Sequence, residues 1–347
     1  MATALGVRLA TPGGPPRLEQ FDVHPPRGRE VLVNVAAAGL CQSDLHVIDE
    51  PPDFLRPGLP FTLGHEVAGT VAAVGDQVEA VRVGDRVAVY GPWGCGECAR
   101  CREGSENYCA NRRDLGFSGI GLGRDGGMAD RVLVNDERQL LLLDGLDPVQ
   151  AAPLTDAGLT SLHAVNLIAA RLPTAPVVVV IGVGGLGHLA VQLLRATTPA
   201  LVVAVDAREE ALHLAGRCGA QRIVDAGTGP AGIMAATGGQ GADAVLDMVG
   251  AATSLDAGMS VLRPGGDLVV VGSGGGRVVL EKGSVPQGVR VALPYWGSRQ
   301  ELQQVLALAR AGTIRAEVET FPLADAGEAI RRLRSGGILG RAVLIPA

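Results

Sequence analysis

Two rhythms divide the chain. Up to about residue 150, apolar residues come in short bursts: VLVNVAA (31–37), VAGTVAAV (67–74) and RVAV (86–89). Polar turn clusters such as PPRGRE, VGDQ and RVGD separate them. Dense β-branched residues between turn formers predict short strands in a compact, mainly β region. A glycine-rich stretch, GFSGIGLGRDGGM, reads as hairpin-like. After Asp156 the apolar runs lengthen and alternate with helical spacing. VVVVIG (177–182) is wholly apolar, and GGLGHLAVQLLRA follows as a helix. LVVAVD (201–206), a helix in REEALHLAGRCGA, RIVDA, AVLDMVG (244–250) and DLVVVGSGG (267–275) continue the alternation. Strand–helix alternation of this kind predicts a parallel, doubly wound sheet. The tail adds an amphipathic helix in ELQQVLALARAG, another in AGEAIRRLRSG and a last strand in RAVLIP.

A chain of 347 residues has two domains as its natural prior. The uncharged stretch 172–194 contains two prolines, four glycines, His188 and Gln192. It therefore reads as a buried strand–turn–helix, not a membrane span. The segment MATALGVRLATPGG lacks the apolar core of a secretory signal. Lys282 is the single lysine, which argues against Schiff-base chemistry and leaves no Tyr-x-x-x-Lys pair. Net charge is −6 with the charges scattered, so no nucleic-acid surface is indicated. Nothing in the cysteine pattern requires disulfides, and a reducing, cytoplasmic setting is expected.

Four of the six cysteines crowd one loop as C-x2-C-x2-C-x7-C: Cys95, Cys98, Cys101 and Cys109. Unliganded thiols packed so densely would repel as thiolates and oxidise, whereas Zn2+ takes four sulfurs tetrahedrally and closes a loop that has no core. An iron–sulfur cluster is the rival reading, but bacterial ferredoxin runs have a shorter last spacing followed by proline, and Ala110 follows Cys109 here. Filled by four sulfurs, such a site is structural. Cys41, His65 and Asp156 form a second, looser set. Each taken singly has a plain structural explanation; together a thiolate, an imidazole and a carboxylate make the three-ligand pattern of a catalytic zinc with one open position.

Gly182-Val183-Gly184-Gly185-Leu186-Gly187 is G-x-G-x-x-G between an apolar strand and a helix, the context that dinucleotide binding requires. The phosphates would sit on free N–H groups at the helix N-terminus. Asp206 ends the next strand, about 20 residues on, where a carboxylate accepts ribose hydroxyls and repels a 2′-phosphate. NAD is therefore expected over NADP, with Arg208 nearby as the opposing charge. A ligand-free glycine turn is the alternative.

Gly64-His65-Glu66-x-x-Gly69-x5-Gly75-x-x-Val78 resembles the signature of zinc-containing alcohol dehydrogenases of the medium-chain dehydrogenase/reductase superfamily. The cysteine lobe, the glycine fingerprint and Gly340-Arg341 agree, so the resemblance covers essentially the whole chain. YGPWGCGECARC, APLTDAGLT and PYWG are similar to bacterial NAD-dependent secondary-alcohol dehydrogenases. The resemblance implies a GroES-like, mainly β catalytic domain over 1–155 and 297–347, with a structural-zinc lobe at about 91–113, and a Rossmann domain over 156–296. It implies zinc ligation by Cys41, His65 and Asp156, with Glu66 near the metal and Asp44 orienting His65. It further implies that Ser43 bonds the substrate oxygen and that His46 passes the proton to solvent. Val249, Gly250 and Arg341 join the fingerprint in holding the cofactor, and Phe54, Leu55, Trp93, Tyr295 and Trp296 line an apolar substrate pocket. The expected reaction moves hydride between a small secondary alcohol and NAD, in a homodimer or homotetramer carrying two Zn2+ per chain. A polyol or carbonyl reductase, a thiol-adduct aldehyde dehydrogenase and a non-catalytic dinucleotide-binding protein are the alternatives. His163, His188 and Cys218 read as packed residues.

Overall fold

The computed structural model describes residues 2–49 and 58–347. Phe54 and Leu55 lie outside the described residues. The chain divides into two compact units, one of residues 1–159, 298–312 and 316–347, the other of 160–297 and 313–315.

In the first unit, the apolar bursts become strands Val31–Leu40, Glu66–Val74 and Arg86–Val89, adjacent and antiparallel in one seven-stranded sheet. Arg341–Ile345 pairs antiparallel with Val31–Leu40 on its other side, which brings the end of the chain beside residues near its start. Ala2–Leu9, Arg17–Val23 and Phe61–Thr62 form a smaller sheet. Val33, Val67, Val87, Val89, Trp93 and Leu344 belong to one buried apolar cluster of this unit. The glycine-rich stretch differs from expectation. Gly119–Ile120 and Gly123–Arg124 pair in parallel, not as a hairpin. Gly119, Gly121 and Gly123 all take positive φ, so the chain coils back on itself within a few residues.

The second unit holds a six-stranded sheet whose spatial order is Arg222–Asp225, Leu201–Asp206, Val177–Ile181, Ala242–Asp247, Leu262–Val270, Arg290–Ala292, with every neighbouring pair parallel. Numbered along the unit this is 3-2-1-4-5-6, the doubly wound Rossmann order, which reverses direction between strands 1 and 4. The wholly apolar runs are buried because helices such as Gly187–Thr197 and Glu209–Arg217 pack against the strands. The uncharged stretch 172–194 is a strand, a turn and a helix. Among the described residues no helix is long and apolar enough to cross a membrane.

Candidate active site

Cys41 follows the strand Val31–Leu40 and stands just before the helix Gln42–Asp49. Asp44, in the first turn of that helix, is fully buried; its Oδ2 accepts the Cys41 N–H at 2.8 Å and its Oδ1 lies 3.2 Å from His65 Nδ1. His65 follows Gly64, whose φ of +99° leaves its Cβ direction blocked by Met128 at 2.6 Å. Asp156 comes from a different part of the sequence, a buried π-helical turn over Leu154–Gly158. The donor atoms of Cys41, His65 and Asp156 all lie within 4.8 Å of one another.

The separations fit zinc. Tetrahedral zinc with sulfur at ~2.3 Å and nitrogen or oxygen at ~2.0–2.2 Å places sulfur and oxygen about 3.6 Å apart, nitrogen and oxygen about 3.4 Å. Cys41 Sγ is 3.5 Å from Asp156 Oδ2, and His65 Nε2 is 3.6 Å from the same oxygen. Burial works to lower the His65 pKa, but Asp44, Asp156 and Cys41 outweigh it and hold the ring well above its usual value without a metal. That much negative charge in a dry site calls for a cation.

Below these residues lies Glu66, completely buried, its carboxyl pushed up to about 7, chiefly by burial, against the opposing pull of Arg341. Arg341 Nη2 donates to Glu66 Oε1, which also accepts the Ala157 N–H at 3.3 Å. Gly39 makes room for this carboxylate: a Cβ there would fall 1.8 Å from Glu66 Oε2. Arg341 is thus buried against Glu66, within the first unit. Ser43 and His46 are exposed on the helix Gln42–Asp49, and the Ser43 hydroxyl lies 3.7 Å from Cys41 Sγ.

The four lobe cysteines also converge. Sulfurs around tetrahedral zinc sit about 3.8 Å apart at a ~2.3 Å bond length. Cys98 Sγ and Cys95 Sγ are 3.5 and 3.9 Å from Cys101 Sγ. The backbone N–H groups of Cys98 and Cys95 point at the sulfurs of Cys95 and Cys109. Sequence reasoning missed Glu106 and Gly94. The buried Glu106 carboxylate accepts the Gly94 N–H at 2.7 Å and Arg138 Nε at 2.9 Å, pinning the lobe to the unit. A Cβ at Gly94 would meet Cys101 Sγ at 2.4 Å. A glycine beside the first cysteine was the available signal.

In the second unit the fingerprint glycines have distinct duties. Gly182 turns at φ +89°, and a Cβ on Gly187 would strike Gly182 O at 1.9 Å, so helix and strand pack closely there. Gly184 faces open space, its nearest neighbour being Arg208 at 3.7 Å, which leaves the backbone approachable by a pyrophosphate. Asp206 Oδ2 accepts the Val183 N–H at 2.7 Å and Oδ1 the Arg208 N–H at 2.9 Å. Val249 lies over Gly182, and Gly250 turns at φ +70°. Asp247, also missed, is fully buried and takes the N–H groups of Val249 and Gly250 and the Ser254 hydroxyl. His188 donates from Nδ1 to Gly184 O at 2.8 Å, so it is a packed, loop-fixing residue. Cys218 is half-buried at a helix end.

Trp93 is buried in the first unit with its indole N–H donating to Tyr90 O at 3.0 Å. Tyr295 and Trp296 are in the second unit, their rings 5.4 Å apart; Tyr295 is 37 % exposed and Trp296 has φ +51°.

Residues 27–144 match the alcohol dehydrogenase GroES-like domain and residues 185–311 the zinc-binding dehydrogenase domain. An NAD-dependent alcohol dehydrogenase of Sulfurisphaera tokodaii is 37% identical over 98% of this chain and 99% of its own length. A D-arabinose 1-dehydrogenase (NADP(+)) of Saccharolobus solfataricus is 34% identical over 96% of this chain and 95% of its own length. The crystal structure of an alcohol dehydrogenase from Aeropyrum pernix superposes with a TM-score of 0.90 at 36% identity, covering 99% of this chain and 100% of that one. The chain belongs to the zinc-containing alcohol dehydrogenases, NAD(H)-linked oxidoreductases of the medium-chain dehydrogenase superfamily.

Proposed function

We propose that this chain interconverts a small secondary alcohol and its ketone with NAD, on a zinc held by Cys41, His65 and Asp156, while Cys95, Cys98, Cys101 and Cys109 hold a second, structural zinc. The convergence of one thiolate, one imidazole and one carboxylate at zinc-like separations carries the reading. A bound zinc supplies a Lewis acid, able to lower the pKa of an oxygen ligand such as water from 15.7 to about 7, worth on the order of 12 kcal/mol. A positioned proton acceptor typically gives ~10²–10⁴-fold, about 3–5 kcal/mol. The metal is the larger contributor and the side chains assist it.

Asp44 fixes the Cys41 backbone and faces His65 Nδ1, so the imidazole presents Nε2 to the ion. Ser43 would hydrogen-bond the substrate oxygen and relay its proton, taking it up while releasing its own hydroxyl proton toward the exposed His46 on the same helix, which passes it to water. Residues 182–187 cradle the cofactor pyrophosphate, Asp206 takes the ribose hydroxyls, and Val249 and Gly250 complete that surface. Free thiols throughout the chain suit a reducing cytoplasm, and a homo-oligomer is expected from the family.

The test is an NAD+-linked screen across primary, secondary, cyclic and polyhydroxy alcohols and aldoses, with ketones in reverse. Aldoses are included because one relative is named for D-arabinose oxidation. Secondary alcohols should be the best substrates. Cys41→Ser or His65→Ala should abolish turnover while NADH still binds; normal turnover in either would end the assignment.

A further inference from the structure

Asp156 reaches the other two donors from an irregular piece of helix. Pro148–Pro153 and Leu159–Ala169 are ordinary α-helix, but between them Leu154–Gly158 is a π-helical turn, in which the Leu159 N–H reaches back five residues to Leu154 O. All five residues of the turn are buried. A π turn inserts one residue into the helical phase, and one residue of α-helix is about 100° of rotation. Without the insertion, Asp156 and the residues after it could not both keep their present directions.

Three contacts hold the turn, and all lie within the first unit. The Thr155 hydroxyl donates to Ala152 O at 2.8 Å. The Ala157 N–H donates to Glu66 Oε1 at 3.3 Å. Gly158 lies tight against the helix Arg299–Arg310: a Cβ there would come 2.9 Å from Val305 Cγ1 and 2.8 Å from Leu154 Cδ2. Real Cβ atoms do not come that close, so any side chain at 158 must shift the turn or its neighbours.

We propose that the π turn is the device that aims Asp156 at the metal, and that Gly158 is its positioning residue, set by Val305. This rests on the reading of Asp156 as a zinc ligand. The prediction concerns geometry at the metal and has a readout apart from turnover: affinity at the three-donor site, measured by competition with a chelator, and the visible spectrum of the Co2+-substituted protein. The cysteine lobe, read in the same sample, is the internal control.

Gly158→Ala should weaken metal binding at the Cys41 site roughly tenfold to a hundredfold, the range for residues that orient ligands from outside. Its cobalt spectrum should shift while the lobe stays loaded. Gly158→Ala combined with Val305→Ala removes one of the two close approaches and should recover much of the affinity. Wild-type affinity and spectrum in Gly158→Ala would overturn the proposal. Should that variant not fold, Val305→Ile adds a methyl group to the side chain facing Gly158. It should shift the cobalt spectrum in the same sense, and an unchanged spectrum would equally overturn the idea. Asp156→Ala separates the two readings. Retained metal in that variant sinks Asp156 as a ligand, whereas lost metal there with wild-type binding in Gly158→Ala and Val305→Ile sinks the π-turn proposal alone.

Discussion

Glu66 and Arg341 form a buried ion pair directly beside the candidate metal ligands: Glu66 is 0 % and Arg341 4 % exposed, and the guanidinium donates to the carboxylate. The pair joins strand Glu66–Val74 to strand Arg341–Ile345 across Val31–Leu40, whose Gly39 leaves space for it. Among the described residues Arg341 Nε has no hydrogen-bond partner, so the ion pair is the main compensation for its burial. Removing one partner of such a pair costs about 3–5 kcal/mol, because the other is left as an uncompensated buried charge or must take up a proton to escape it. Arg341→Met should lose that much stability in a denaturant titration. Adding Glu66→Gln should recover a large part of it. A loss under ~1 kcal/mol in the single variant would show that the pair is not closed in solution.

The two metal sites should be separable. Cys98→Ser should take metal content from two ions per chain to one, with the lobe losing its ion and the three-donor site keeping its own. Cys41→Ser should do the reverse. Elemental analysis together with turnover checks this: the first variant should lose thermal stability before activity, the second activity before stability. Loss of both ions from either variant would count against independent sites.

Asp206, the proposed ribose ligand, also holds the fingerprint loop, since its carboxylate accepts the Val183 and Arg208 N–H groups. Hydrogen bonds to a charged group contribute about 1.5–3 kcal/mol, so Asp206→Ala should weaken NADH binding at least about tenfold. Preference against NADPH should fall at the same time. Fluorescence titration with both cofactors decides it, and an unchanged ratio would show that another residue discriminates.

Asp49 and Arg334 tie the end of the helix bearing Ser43 to the helix Ala326–Arg334, with Arg334 Nη1 2.7 Å from Asp49 Oδ2. The bond to Arg334 holds the Asp49 carboxyl below its ordinary 3.8. A carboxylate depressed in the folded state adds stability above its unfolded pKa and loses it as pH falls through the lower, folded value. Both side chains are largely exposed, so solvent screening limits the effect to ~0–1 kcal/mol. Asp49→Asn should be slightly less stable than the natural chain at pH 6, and the gap should close below about pH 3.8. A gap that widens in acid would contradict the sign.

What could be read from the residues alone followed physical regularity. VVVVI and LVVAV could only be buried strands, and the structure puts them side by side and parallel. The G-x-G-x-x-G spacing was legible because each glycine answers a steric need that the structure displays. The cysteine spacing was legible because four thiols so close together need an ion. The π turn was not, since PLTDAG reads as a helix punctuated by Pro153 and Gly158, and the extra residue is imposed by Glu66 and Val305, both distant in sequence. No motif marks Glu106 or Asp247; only the fold reveals that each is buried among donors. The parallel pairing at Gly119 and Gly123 escaped for the same reason, because glycine permits more turns than a pattern can distinguish.

The carboxylate of Asp44 lies within reach of two of the three metal donors at once, one through its main chain and one through its ring. Asp44 therefore orients both groups through contacts that do not involve an ion. Exchanging zinc for another divalent ion of similar radius should leave the polypeptide where it stands, so whatever catalytic difference follows such an exchange would belong to the ion's own chemistry.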